Sequence, residues 1–232
     1  MEVELICILK ITKDIDMIDI LFPKLHKEGY RFLAIAAAVT FILLLISNFF
    51  GIVSLILTVW VYYFFRDPER FPINDENYLL SPADGVISQI IETNGPKELN
   101  LENQKYTRVS IFMNVFNCHV NRVPSSGKVN QIFYKPGKYI NASLDKASDE
   151  NERNFVKMTN SNGEELILAQ IAGLIARRIV CEIKENEDVK QGEKFGIIRF
   201  GSRVDLYFKN HKLMVRQNQK TIGGETIIAK KT

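Results

Sequence analysis

A chain of 232 residues with 46% hydrophobic side chains is long enough for one ordinary domain with its own core and an accessory segment. Its 30 Lys and Arg against 27 Asp and Glu are too evenly balanced for a polyanion-binding surface, so nucleic acid is not an expected partner. Cys7, Cys118 and Cys181 show no CxxC spacing and His26, His119 and His211 no helical i, i+4 spacing, which indicates neither a disulfide framework nor a metal site and fits a reducing compartment.

In chain order, the first 16 residues mix charged and aliphatic side chains without caps or period, and Met17 would serve equally well as a start. Residues 1–31 read as an extension and lead-in. From Phe32 to Phe65 there follow 34 residues without a charge, between the roughly 20 that one membrane crossing needs and the about 40 that two need. Ser47, Asn48 and Gly51 interrupt the run near its middle, where a turn needs polar partners and conformational freedom, so the expectation is a hairpin of two short helices. Lys24, Lys27 and Arg31 before it and Arg66 and Arg70 after it place both ends in the cytosol by the positive-inside rule. The run starts too late and is too long for a signal peptide.

After Arg66, prolines and glycines punctuate short apolar or alternating runs: Gly85 to Ile91, Thr107 to Met113, Lys128 to Tyr134, Phe155 to Thr159, Glu165 to Ala169, Ile179 to Ile183 and Val204 to Phe208. These predict strands and a mainly β domain, a β-sandwich or barrel-sandwich, with the N-terminal helical hairpin making the whole α+β. Asn114 to Cys118 reads as a helical turn, and Lys184 to Lys194 as a solvated hairpin.

Three places in the β domain carry groups that can react. Asp84-Gly85 in Ser81-Pro82-Ala83-Asp84-Gly85 is, taken alone, an ordinary hairpin turn. The segment Asn114 to Pro124 sets His119 among amides just ahead of Arg122 and a proline. In Phe200-Gly201-Ser202-Arg203-Val204-Asp205, a Gly-Ser pair follows one apolar strand and opens another.

Together with Phe64-Phe65-Arg66-Asp67-Pro68-Glu69-Arg70, these segments in this order resemble the short form of phosphatidylserine decarboxylase, from about Phe22 to the C terminus. The resemblance implies a zymogen that cleaves itself at Gly201-Ser202 into a β chain ending at Gly201 and an α chain from position 202, which stay together as a heterodimer. Ser202 becomes a pyruvoyl group, the sole cofactor, which forms a Schiff base with the serine headgroup of a phospholipid substrate and acts as an electron sink. It also implies His119 and Asp84 as the base system of self-cleavage, with the carboxylate orienting the imidazole. The long form carries a second histidine where this chain has Arg122, which cannot act as a base. Arg122, Arg203 and Arg66 are candidates to hold the substrate's phosphate or carboxylate, as is Arg70. The expected location is the cell membrane, with the catalytic domain on its cytoplasmic side.

Two other readings stay open. The same chemistry can act on another serine-headed lipid, such as archaetidylserine. Alternatively, Val189-Lys190-Gln191-Gly192-Glu193 and the next strand resemble hairpins of lipoyl-type domains, although the turn that should offer a lysine offers Gly201-Ser202-Arg203.

Overall fold

The uncharged run folds as two helices, α1 (Gly29–Ile46) and α2 (Asn48–Phe64). In the computed structural model, which describes residues 22–139, 150–173, 178–199 and 202–232, the break between them is narrower than the sequence suggests. Ser47 alone is extended, at φ −160° and ψ 129°, while Gly51 already donates to the Ser47 carbonyl at 2.9 Å. Gly51 serves close packing instead: a Cβ there would lie 2.3 Å from Leu44 Cδ2 and 2.8 Å from its Cα. Thr40 Oγ1 bonds Ser54 Oγ and Thr58 Oγ1 across the pair, both at 2.8 Å, and the Phe32 and Phe65 rings stack at 5.2 Å. The helices therefore run antiparallel. Small and polar residues lie between them, whereas Phe41, Leu45 and Phe49 point outward. The first residues of the chain, including Met17, lie outside the described residues.

The chain divides into two units, Met1–Glu69 and Arg70–Thr232. The second is built on β1 (Tyr78–Leu80), β2 (Gly85–Asn94), β3 (Lys105–Met113), β4 (Val120–Arg122), β5 (Gly127–Lys135), β6 (Arg153–Asn160), β7 (Glu165–Ala172), β8 (Arg178–Cys181), β9 (Asp188–Val189), β10 (Lys194–Arg199), β11 (Ser202–Phe208), β12 (His211–Leu213), β13 (Lys220–Thr221) and β14 (Ile227–Lys231). Eight of these form one sheet in the order β13-β2-β3-β11-β7-β6-β5-β9, antiparallel throughout. Two three-stranded sheets, β1-β14-β12 and β4-β10-β8, pack on one face of it, and their side chains share its core: Ile87, Val109, Ile111, Val204 and Leu206 meet Leu79, Ile228, Phe195 and Ile198. The mainly β sandwich expected from the sequence is what forms in this unit, and the other unit holds the apolar helix pair.

A second, smaller cluster lines the reverse face of the large sheet, with Tyr106, Phe155, Ile167, Ile171 and Tyr207 under the turn at Lys97–Leu99. With both faces covered, β7 and β11 lose the polar/apolar alternation of half-exposed strands and read as near-continuous buried runs. Two local expectations are corrected. Residues 184–194 are not a free hairpin, because Asp188–Val189 bonds to the edge of β5 and Val189 enters the core. Asp84-Gly85 is not a hairpin turn either: β1 pairs with β14 and β2 with β3, so the bend at 82–84 carries the chain from one sheet to another.

Candidate active site

Ser202 opens β11 at the middle of the large sheet, opposite Met113 of β3 on one side and Ala172 of β7 on the other. Strand alternation puts its side chain on the same face as Val204 and Leu206, toward the main core. It is 0% exposed, and its hydroxyl has no hydrogen-bond partner among the described residues. A buried hydroxyl left unbonded costs about 1–3 kcal/mol, so the serine does not stabilise the fold at this position through its hydroxyl. Gly201 and Phe200 lie outside the described residues.

His119 comes from the segment ahead of β4. Its carbonyl accepts the Ile198 amide at 3.4 Å, so it lies alongside β10, four residues before Ser202 in the chain. The imidazole is fully buried, and its Nδ1 lies 3.0 Å from the Asn117 carbonyl. If Nδ1 carries the proton, Nε2 is the basic nitrogen. Asn117 sits in the turn at Asn114–Cys118, closed by the Asn117 amide on the Asn114 carbonyl at 3.0 Å.

Asp84 is fastened elsewhere. Arg70 Nη2 donates to both its oxygens, at 2.9 and 2.7 Å, and Oδ1 also accepts the Gly223 amide at 2.8 Å. Those are its hydrogen-bond partners, and the imidazole is not among them. The expected carboxylate–imidazole hydrogen bond is thus absent among the described contacts, because the charged guanidinium of Arg70 occupies both carboxylate oxygens.

Of the other candidate arginines, Arg122 follows His119 by three residues and ends β4. Its Nη1 donates to the Gly192 carbonyl at 3.0 Å, and its stem packs on Gly224, where a Cβ would lie 2.8 Å from Arg122 Cδ and 3.6 Å from Arg70 Cβ. Gly224 is also left-handed, at φ +80°, so both space and conformation require glycine. Arg203 is not in the site: it points to the face opposite Ser202, where Nε and Nη2 hold Asp205 at 2.9 and 3.0 Å. Arg66 belongs to the helical unit and donates to the Tyr63 carbonyl at 2.6 Å, at the end of α2, where a cation suits the helix dipole.

The sequence reading missed a chain of buried amides. Asn154 Nδ2 donates to Gln170 Oε1 at 3.0 Å, Gln170 Nε2 to Asn121 Oδ1 at 2.9 Å, and Asn121 Nδ2 to Met113 Sδ at 3.6 Å. Gln170 stands opposite Val204, and Met113 opposite Ser202. The signal was a glutamine inside the apolar run Leu166 to Ala172, a polar residue that needs a partner wherever it is buried.

The sequence profile described as phosphatidylserine decarboxylase matches residues 57–229. The chain belongs to the phosphatidylserine decarboxylase family. It is 61% identical over 215 residues to a phosphatidylserine decarboxylase proenzyme of Pelagibacter ubique (strain HTCC1062), covering 93% of this chain and all of the relative. With the proenzymes of Rickettsia typhi (strain ATCC VR-144 / Wilmington) and Rickettsia prowazekii (strain Madrid E) it is 52% identical over 211 residues, covering 90% of this chain and 91% of each relative. Family membership covers both Ser202 and the His119 segment, and it removes the lipoyl-type reading.

A pyruvoyl group derived from Ser202 fits what surrounds that residue. Its flanks, Ala172 and Met113, are apolar and its hydroxyl is buried and unbonded, so a small ketone there would forfeit no existing hydrogen bond.

Proposed function

We propose that this chain is a membrane-bound phosphatidylserine decarboxylase made as a zymogen, which cleaves itself between Gly201 and Ser202 and converts phosphatidylserine to phosphatidylethanolamine. The observation that carries the reading is the unbonded, fully buried hydroxyl of Ser202 at the head of a central strand, in a chain of this family.

Ser202 Oγ attacks the Gly201 carbonyl carbon while His119 takes the hydroxyl proton and passes it to the departing amide nitrogen, leaving an ester. Loss of the Cα proton of residue 202 then breaks Cβ–Oγ, and the electron pair leaves on Oγ as part of the Gly201 carboxylate. One water replaces ammonia at Cα, and residue 202 becomes pyruvoyl. No oxidant is consumed.

A pyruvoyl group supplies a carbonyl for the substrate amine and an adjacent amide carbonyl that takes up the electrons released with carbon dioxide. Around it, His119 holds the proton returned to the substrate carbon. Arg122, beside Arg70, provides positive charge for the headgroup phosphate or carboxylate, and the Arg70–Asp84 pair fixes the loop at Gly223 against that place.

The helical unit supports membrane attachment. Helix α1, with 18 residues, is long and apolar enough to cross a membrane by length and composition, and α2 has 17. Large apolar side chains outside and Thr40, Gly51 and Ser54 between the helices is the pattern of helices packed in lipid rather than in water. With basic residues at both ends of the hairpin, the catalytic unit lies on the cytoplasmic side.

The test is the intact mass of the purified chain with and without borohydride, followed by release of carbon dioxide from phosphatidylserine vesicles. Two fragments split after Gly201, with reduction adding mass to the smaller, are expected. An intact chain that nonetheless decarboxylates the lipid would overturn the mechanism.

A further inference from the structure

The amide chain on the core face of the large sheet has an end that its structural role does not explain. Met113 and Gln170 belong to β3 and β7, the two neighbours of β11, so these strands lie about 9–10 Å apart, twice the usual spacing. Asn121 nevertheless touches side chains from both: its Oδ1 takes the Gln170 amide at 2.9 Å and its Nδ2 faces Met113 Sδ at 3.6 Å. Its carboxamide therefore lies across β11, over the stretch between Ser202 and Val204 and on the side to which Ser202 points. The group is 0% exposed.

Its hydrogen bonds are lopsided. The oxygen is held by Gln170, itself held by Asn154, which fixes which way the amide faces. The nitrogen carries two N–H groups, and its acceptor among the described residues is a thioether, a weak one. A buried amide donor is thus set on a poor acceptor, the cross-strand neighbour of Ser202, on the face to which that residue's unpartnered hydroxyl points. In the uncleaved chain the two are not bonded to each other. A donor of this kind stabilises the state in which charge appears on its target more than the state before it.

We propose that Asn121 Nδ2 is the hydrogen-bond donor to Ser202 Oγ in the elimination step of self-cleavage. This rests on the self-processing reading above and assigns a catalytic group to its second half. In the first step Oγ is a nucleophile, and a donor there brings nothing. In the second, Cβ–Oγ breaks and Oγ receives the electron pair as an oxygen of the Gly201 carboxylate. An N–H aimed at that oxygen lowers the barrier to its departure, and Gln170 is the positioning residue that aims it.

The experiment follows processing of the purified full-length chain by mass, with neutral hydroxylamine added to one half of each sample. Asn121→Leu keeps the branched shape and removes the donor; Asn121→Leu with Gln170→Met also removes the glutamine donor that the first change orphans, in case the single variant does not fold. The expected result is an ester that accumulates. Processing slows about 10²–10³-fold, the range for loss of one such donor. Hydroxylamine then splits the stalled chain into a larger fragment ending in a Gly201 hydroxamate and a smaller one that begins with an unmodified Ser202 and does not react with borohydride. Processing at the wild-type rate would overturn the proposal. So would a folded, stalled chain that resists hydroxylamine, because the block would then precede the ester. The wild-type chain separates this from the parent reading: if it is not split after Gly201 the self-processing reading fails, and if it is split while the variants behave like it, Asn121 alone loses its role.

Discussion

Ser202 and Arg203 are neighbours in β11 that face opposite sides of the large sheet, Ser202 toward the shared core and Arg203 toward Asp205. One short sequence motif therefore serves two faces: the serine, on the core face, is the residue proposed for chemistry, and the arginine and aspartate lock the reverse face. Both faces are buried, so the two can be separated only by how each variant fails.

Ser202→Ala removes the nucleophile together with a buried hydroxyl that has no partner among the described residues. The expected outcome is one unprocessed polypeptide whose thermal transition equals or exceeds that of the parent before cleavage, since deleting an unsatisfied buried hydroxyl removes a cost of about 1–3 kcal/mol. Electrophoresis and a melting curve of the same sample check both halves. Cleavage of this variant would remove Ser202 from the mechanism.

Asp205→Asn should fail differently. Asp205 is 0% exposed, lies 2.9 Å from Arg203 Nε and 4.0 Å from Arg108 Nε, and removing its charge takes a buried carboxylate away from both guanidinium groups. Breaking a buried pair in this way costs roughly 3–5 kcal/mol. The variant should melt well below the parent, and any loss of processing should be recovered at lower temperature. An unprocessed Asp205→Asn chain with a parental melting point would instead place Asp205 in the chemistry.

Much of this was legible in the sequence, and the exceptions have physical causes. The helix pair and the strands around Ser202 stand out because an uncharged run and short apolar runs between glycines and prolines report burial directly. The placing of Asp84 did not, because its strongest partner, Arg70, comes from the far side of a bend, and its third contact is a backbone amide at Gly223, 139 residues on. The facing of Arg203 was not legible either, because it follows from strand alternation, which sends residue 203 to the face opposite Ser202. The amide chain was visible only as isolated polar letters; that Asn121, Gln170 and Asn154 meet depends on which strands become neighbours.

The Arg70–Asp84 pair allows a test of whether Asp84 fastens a loop or handles protons. Because Arg70 occupies both carboxylate oxygens, Arg70→Gln and Asp84→Asn should slow self-cleavage to similar degrees, and the double variant should be little worse than either. The coupling in thermal stability should be about 1 kcal/mol, within the range for contacting residues. If Asp84→Asn stops cleavage while Arg70→Gln leaves it near normal, the carboxylate acts on the proton and the arginine is incidental.

Glu98 gives a prediction in pH. Its carboxylate is nearly buried and faces Lys135 at 2.9 Å and Arg153 at 3.0 Å. Burial alone would raise its pKa, but the hydrogen bonds from Lys135 and the backbone, with the charge of Arg153, outweigh burial and hold it below the ordinary value of 4.5. A pKa depressed by folding contributes stability that is complete above the unfolded value and is lost as the pH falls through the folded one. Glu98→Gln should therefore destabilise the domain by about 1–3 kcal/mol at pH 7. The gap between its melting point and the parent's should stay constant down to about pH 5, then close as the parent's own Glu98 protonates. Melting curves of both chains between pH 7 and pH 3 decide it, and a gap that widens on acidification would mean that Glu98 is not the group holding Lys135 and Arg153 in place.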